Sequence, residues 1–333
     1  CAAIAPMAET HVVGTVAPTT PLYLQIPPGY DAVPPHLREF QGAKQFWDYK
    51  GLTLDLPKIL LNIAVPPLVF SYVISMLSYK AHYRFPAFVY LFAAVGLLPA
   101  VFAHQMVKRA IRRGQSTRFP KLSVGLLLAA FGLGFVLGEV NYWYYNHPFF
   151  FLEGLKTYSN IDPTGMSGQR LMDAGKIYFN ERTRLGTDLA MSFTSTWDTY
   201  CVAPITTAEG LPSQGSILAK YDIWAVGVNC CKSGVPSFYC DDGNPHTRAG
   251  LRQVGDEQRV FYRLAVQQAE AAYNIEAPHP IFFFWVQDPI QKEREFFTAG
   301  FTFWLTVNMS HCVLNFFAVL AFLLMFHRPP NVD

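Results

Sequence analysis

Apolar residues gather in four stretches long enough to cross a bilayer, and the rest of the chain is arranged around them. A membrane-spanning helix needs about 20 mostly apolar residues. The first stretch runs from Leu54 to Ser78. Its Pro66–Pro67 pair removes two amide donors and predicts a kink. The second runs from Pro86 to Val107, with Pro99 inviting another kink. The third, Leu122 to Tyr145, ends in the aromatic run YWYY, and the fourth runs from Phe297 to Phe326. Buried helices of a large soluble protein are the other source of such runs. Four runs with interfacial aromatics and basic flanks favour the bilayer.

Between these stretches the pattern changes. Residues 1–50 show no helical period and carry seven prolines. They predict an extended arm that needs a neighbouring subunit to lie against. The start at Cys1, followed by a stretch rich in Ala and Thr, suits the neighbourhood of a processed targeting sequence. Residues 147–292 form the one long polar region. Within it, Ser167–Phe179 and Asp256–Tyr273 are expected to be helices. The second has Asp256 as its capping acid and an apolar stripe at Phe261, Leu264, Ala265 and Ala272. Tyr221–Asn229 alternates enough for a strand. The predicted fold is therefore mainly α: a four-helix transmembrane protein with a small disulfide-bearing α+β domain inserted between helices 3 and 4. Its parts are the arm (1–50), helices 1–3 (51–146), the cysteine-bearing domain (147–292), and helix 4 with a short tail (293–333).

Charge sets the expected orientation. The segment from Val107 to Lys121 holds six basic residues and no acid, so it should face the cytoplasm or its organellar equivalent. The tight turn SYKAHYRF and the 147–292 domain then share the opposite side. Composition agrees with a membrane protein: 51% of the 333 residues are hydrophobic and only 15% are charged, against about 25% charged in soluble domains. A net charge of +2 is too small to suggest a nucleic-acid partner.

Four of the six cysteines, Cys201, Cys230, Cys231 and Cys240, fall in the domain. On an oxidising side, an even number in a compact span predicts two disulfides. Adjacent cysteines rarely pair with each other, so Cys201 should bond one of Cys230 and Cys231, and Cys240 the other. A four-thiolate zinc site is the competing arrangement, but zinc ligands usually come as C-x-x-C pairs, which are missing here. The segment Asp241–His246, DDGNPH, lacks the ligand series of an EF-hand and reads as a plain turn. Gly134 and Gly138 make a G-x-x-x-G that would let another helix approach closely, within this chain or outside it.

Polar groups at membrane depth are costly and often functional. His104 lies near the basic end of span two, Glu139 and Asn141 late in span three, and Asn308, Ser310 and His311 in the middle of span four. His311 has three readings: a hydrogen bond to a neighbouring helix, an axial ligand to a pigment magnesium or haem iron, or part of a proton or ion path. Glu139 is expected to pair with His311 if spans three and four are antiparallel neighbours. His311, His104 and Glu139 are the candidate cofactor-binding residues.

The strings DTYCVAPIT, YDIWAVGVNCC and RLAVQQAEAAYNI, followed by HPIFFFWVQDP, resemble an uncharacterised family of polytopic membrane proteins of dinoflagellate algae. The resemblance covers roughly Tyr158 to Pro289 and implies a plastid-bearing protist source, with no activity attached. It leads to the expectation of a structural or accessory subunit of a multi-protein membrane complex, with a photosystem–antenna assembly in the thylakoid as the leading case. Residues 147–292 would then lie in the lumen. The partners would be other membrane subunits and the lipid bilayer, and the ligands a few chlorophylls or carotenoids, and lipid. An oligomeric channel or transporter subunit of the secretory or plasma membrane is the alternative. No catalytic motif appears in the sequence.

Overall fold

The computed structural model describes residues 56–207, 220–240 and 246–326. The proline-rich arm and the C-terminal tail lie outside these residues, as does the segment Asp241–His246 except for its last residue.

Helix α1 spans Leu56–Ser78 and continues through Pro66 and Pro67. A short helix, α2 (Lys80–Arg84), turns the chain into α3 (Pro86–Val95). The second span is broken by a turn at Gly96–Leu97, and α4 (Leu98–Arg112) restarts with Pro99 in its first turn, where a missing amide donor costs nothing. A side chain on Gly96 would come within 2.7 Å of Val73 on α1, so glycine permits this close approach. Helix α5 (Arg118–Asn141) passes through one π-helical turn, Tyr142–Asn146, into α6 (His147–Glu153). The last helix, α8 (Pro289–Phe326), is 38 residues long. At 1.5 Å per residue that is about 57 Å, well beyond the roughly 30 Å of a hydrocarbon core. Four helical segments are thus long and apolar enough to cross a membrane.

Helix α8 begins eight residues before the apolar run predicts. Asp288 caps it by accepting the amide protons of Ile290 (2.9 Å) and Gln291 (3.2 Å), and Pro289 opens its first turn. The charged turns that follow stand against the polar domain.

That domain is built on eight strands: β1 (Lys156–Ile161), β2 (Ala174–Phe179), β3 (Thr183–Leu185), β4 (Met191–Ser195), β5 (Asp198–Thr207), β6 (Ile223–Val228), β7 (Ala249–Arg252) and β8 (Ile281–Val286). Their order is β1-β2-β7-β8-β6-β5-β3, with β4 also paired to β5. The pairs β1–β2 and β6–β8 are parallel and the others antiparallel. Helix α7 (Asp256–Tyr273) covers one face, where Tyr262, Ala265, Val266 and Ala269 pack on Val202, Trp224 and Phe282. Of the expected stripe Ala265 is fully buried, Phe261 and Leu264 are partly buried, and Ala272 is exposed. Gly255, not Asp256, occupies the cap position.

The opposite face buries Ile177, Cys201, Ala225, Phe283 and Trp285 under a loop carrying Phe238. Two disulfides staple that loop: Cys201–Cys231 ties it to β5, and Cys230–Cys240 closes it on itself. The staples stand in place of a second helical layer.

One predicted helix is a strand. Ser167–Phe179 forms a single 3-10 turn (Gly168–Leu171) and then β2. A strand buried on both faces reads as a continuous apolar run, which periodicity does not separate from a buried helix. Gly175 lies close against the preceding segment: a side chain there would meet Leu155 at 2.6 Å.

Candidate functional site

Three groups of residues within or beside the apolar helices carry polar chemistry. The first is a ladder between α1 and α8, which run antiparallel. Trp304 Nε1 donates to Ser75 Oγ at 3.0 Å. The His311 ring lies on Phe70, with centroids 4.2 Å apart and planes 4° from parallel. Asn315 Nδ2 donates to the carbonyls of Asn62 and Ile63, both at 3.0 Å. Asn62 in turn accepts a hydrogen bond from Ser123 of α5 at 2.7 Å. The His311 Nδ1 atom is buried without a hydrogen-bond partner among the described residues.

The second group lies where α2 meets the α5 π-turn. His82 is buried, and its Nδ1 lies 2.7 Å from the Leu77 carbonyl. That acceptor places the proton on Nδ1, so Nε2 is left to accept from the Tyr90 hydroxyl at 3.1 Å. Tyr142 packs on the ring at 4.0 Å. Glu139 Oε2 accepts from Trp143 Nε1 at 3.0 Å, and Glu139 Oε1 lies 3.9 Å from His82 Nε2.

The third group joins the helices to the sheet. Lys176 of β2 donates to Glu293 of α8 at 2.6 Å, with both side chains about nine-tenths buried. Lys176 also reaches the Leu152 carbonyl on α6 at 3.4 Å. Leu152, Leu251 and Val286 form an apolar seat around this joint, with Phe151 and Phe296 against it.

The three sequence candidates for cofactor binding are not brought together. His104 is exposed on α4, while Ala100, Ala103 and Val107 form that helix's buried side. Glu139 is held by Trp143 and faces His82, so its expected pairing with His311 is replaced. His311 instead lies on Phe70.

Gly134 and Gly138 pack within the chain. Side chains there would meet Phe70 O at 3.1 Å and Leu77 Cβ at 2.9 Å, both on α1. Asn141 donates to Ser78 at 2.9 Å in the same interface.

The sulfur atoms of Cys201, Cys230 and Cys240 lie within 4.8 Å of one another. That crowding belongs to two adjacent disulfides, and with both formed none of the four domain cysteines is left as a thiolate for zinc.

Sequence reasoning passed over His82, Asn62, Asn315, Lys176 and Glu293. Two signals were available. Asn62 stands four residues before Pro66, where a helix loses a donor. Lys176 is the lone charge in an otherwise apolar strand.

No family model matches the chain, and no curated protein or solved structure matches it either.

Proposed function

We propose that the chain is an integral membrane protein and a structural, accessory subunit of a multi-protein membrane complex. The observation that carries this reading is the uncovered surface of α8. Only 11% of its apolar window is buried within the chain, against 39% for α1. The uncovered residues are not all apolar. Thr302, Thr306 and Ser310 recur every fourth position between Phe301, Leu305 and Met309. Small hydroxylated residues at that spacing suit close contact with another helix better than contact with acyl chains.

The extramembrane domain supports the same reading. Trp197, at the β4–β5 turn, is 91% exposed. Exposed tryptophan is a favoured anchor in protein interfaces. The domain is held on the helices by the buried Lys176–Glu293 pair, so it would present that anchor at a fixed position.

In this reading the disulfide-bearing domain faces an oxidising lumen or exterior, and the basic α4–α5 turn faces the other way. The finer assignment, a photosystem–antenna assembly of the thylakoid with chlorophyll or carotenoid bound, rests on the resemblance of residues 158–289. His311 would be the residue to offer a pigment ligand.

The test is purification of the tagged chain from native membranes in mild detergent. Stoichiometric co-purifying membrane subunits support the reading, and pigment absorbance travelling with them supports the finer one. A chain that resists alkaline extraction but purifies alone in every detergent would overturn the accessory role.

A further inference from the structure

A groove of about 920 Å³ opens between α1, α4 and α5. Its lining changes character from end to end. Arg109 and Arg113 stand on its wall with Lys58 opposite, while the deeper part is made of Val65, Phe102, Met106 and Leu127. Among the described residues no carboxylate lines it. Arg109 and Arg113 have no ion pair among the described residues, and both are exposed.

The first turn of α5 adds to the positive end. Ser116 and Phe119 line the groove around the start of that 24-residue helix, whose unpaired amides carry partial positive charge. Along α4 the groove runs from Pro99 to Arg113, about 21 Å of helix. One leaflet of a hydrocarbon core is about 15 Å deep. The groove is thus cationic at headgroup level, apolar below, and one leaflet long.

We infer that this groove holds one anionic phospholipid of the leaflet on the basic side, with its phosphate against Arg109 and Arg113 and an acyl chain along Phe102 and Met106. Charge complementarity selects the anionic headgroup, and the apolar depth selects an amphiphile over a soluble phosphate. The inference rests on the membrane-spanning reading above. Alkaline extraction tests that reading separately, and release of the chain by alkali would overturn both.

The lipid is tested on the full chain purified in detergent and offered equal phosphatidylglycerol and phosphatidylcholine, with bound lipid counted by native mass spectrometry. One phosphatidylglycerol per chain, kept in preference to phosphatidylcholine, is expected. The doubly substituted chain, Arg109→Gln with Arg113→Gln, should lose that preference by roughly thirty-fold. Both side chains are exposed, so the exchange leaves the core intact. Arg294→Gln, at the domain end of α8, should change nothing. Equal retention of the two lipids, or equal effects of the two sets of variants, would overturn the proposal. A photo-reactive benzoyl-phenylalanine in place of Phe102 should cross-link to lipid. Cross-linking to a polypeptide, including the chain's own arm, would show another occupant and overturn it as well.

Discussion

The side-chain amide of Asn315 donates to the backbone carbonyl of Asn62, the group that Pro66 leaves without its usual partner. In an unbroken helix the amide of residue 66 would bond to carbonyl 62, and that of residue 67 to carbonyl 63. Both residues are proline. One asparagine on the neighbouring helix answers both carbonyls, at 3.0 Å each. The proline pair and Asn315 therefore form a unit, which explains how α1 continues through two adjacent prolines and what fixes α8 against it. If the proposed membrane-spanning role holds, no water is at hand in hydrocarbon to bond those carbonyls.

Replacing Asn315 with Leu should lower the stability of the detergent-solubilised chain by about 0.6 to 1.7 kcal/mol, the range for hydrogen bonds between membrane helices. The diagnostic result is non-additive. In a background carrying Pro66→Ala and Pro67→Ala, α1 satisfies its own carbonyls, and Asn315→Leu should cost little. Thermal unfolding of the four proteins closes the cycle. An equal cost of Asn315→Leu in both backgrounds would separate the prolines from the asparagine.

The cysteine loop makes a second prediction. Thiol labelling of the unfolded, unreduced chain should find Cys201, Cys230, Cys231 and Cys240 blocked and Cys312 reactive. Loss of the Cys201–Cys231 bond should cost about 2 to 4 kcal/mol. Gly227 is the hidden requirement. It pairs with Cys201 across β5 and β6 and lies beneath the other bond. An added Cβ would sit 2.5 Å from the sulfurs of both Cys230 and Cys240. Gly227→Ala should therefore yield mispaired or partly reduced protein in peptide mapping, although no cysteine has changed.

The Lys176–Glu293 pair predicts an asymmetry. Lys176→Met alone leaves a buried carboxylate without its partner and should cost about 3 to 5 kcal/mol. Adding Glu293→Leu should recover most of that loss, because the joint is otherwise apolar. Protease accessibility of the segment before α8 should rise in the single variant and fall back in the double one. Equal damage in both would mean that the pair contributes more than mutual neutralisation.

Tyr262 bears on alkaline stability. It is fully buried, and its hydroxyl has no hydrogen-bond partner among the described residues. Burial first, and the neighbouring Tyr200 second, push its ionisation well above the ordinary tyrosine range. The folded chain therefore keeps this proton after the unfolded chain has released it. The contribution to stability is complete below pH about 10, the unfolded value, and is lost as pH rises above it. Tyr262→Phe should leave neutral stability unchanged or slightly improved and weaken the alkaline transition, as followed by circular dichroism from pH 8 to 12.

The membrane-length helices were legible because each is announced by a long apolar run of about the length that spans a bilayer. Their ends were less so. The start of α8 depends on Asp288 and Pro289, a local capping signal outside the apolar run. The sheet was mostly hidden. Tyr221–Asn229 alternates and was recognised, but β8 is apolar on both faces, as is β2 apart from Lys176, so neither carries a period-two signature. The polar contacts were hidden for a different reason. His82 meets Glu139, and Asn315 meets Asn62, only after helices far apart in sequence have packed.

The glycines of α5 allow the sharpest test of how that helix is oriented. All four have ordinary helical backbone, so their difference lies only in what faces them. Gly125 and Gly132 have nothing within 4 Å of an added Cβ. Gly134 and Gly138 lie against α1, and at Gly138 the nearest atom is Leu77 Cβ, which is anchored to backbone and cannot swing aside. Alanine at 125 or 132 removes glycine's entropic cost in a helix and should stabilise by up to about 0.5 to 1 kcal/mol. Alanine at 138 must push α1 and α5 apart and should destabilise by roughly 1 to 3 kcal/mol, the usual cost of overpacking. At 134 the contact is 3.1 Å to a carbonyl oxygen, so a smaller loss is expected. Thermal unfolding of the four single variants should therefore divide them two and two. The division should follow the face of α5 that each glycine occupies and not its depth along the helix, because Gly132 and Gly134 are only two residues apart. If Gly132→Ala proved as damaging as Gly138→Ala, α5 would be rotated from the placement in which G-x-x-x-G closes on α1.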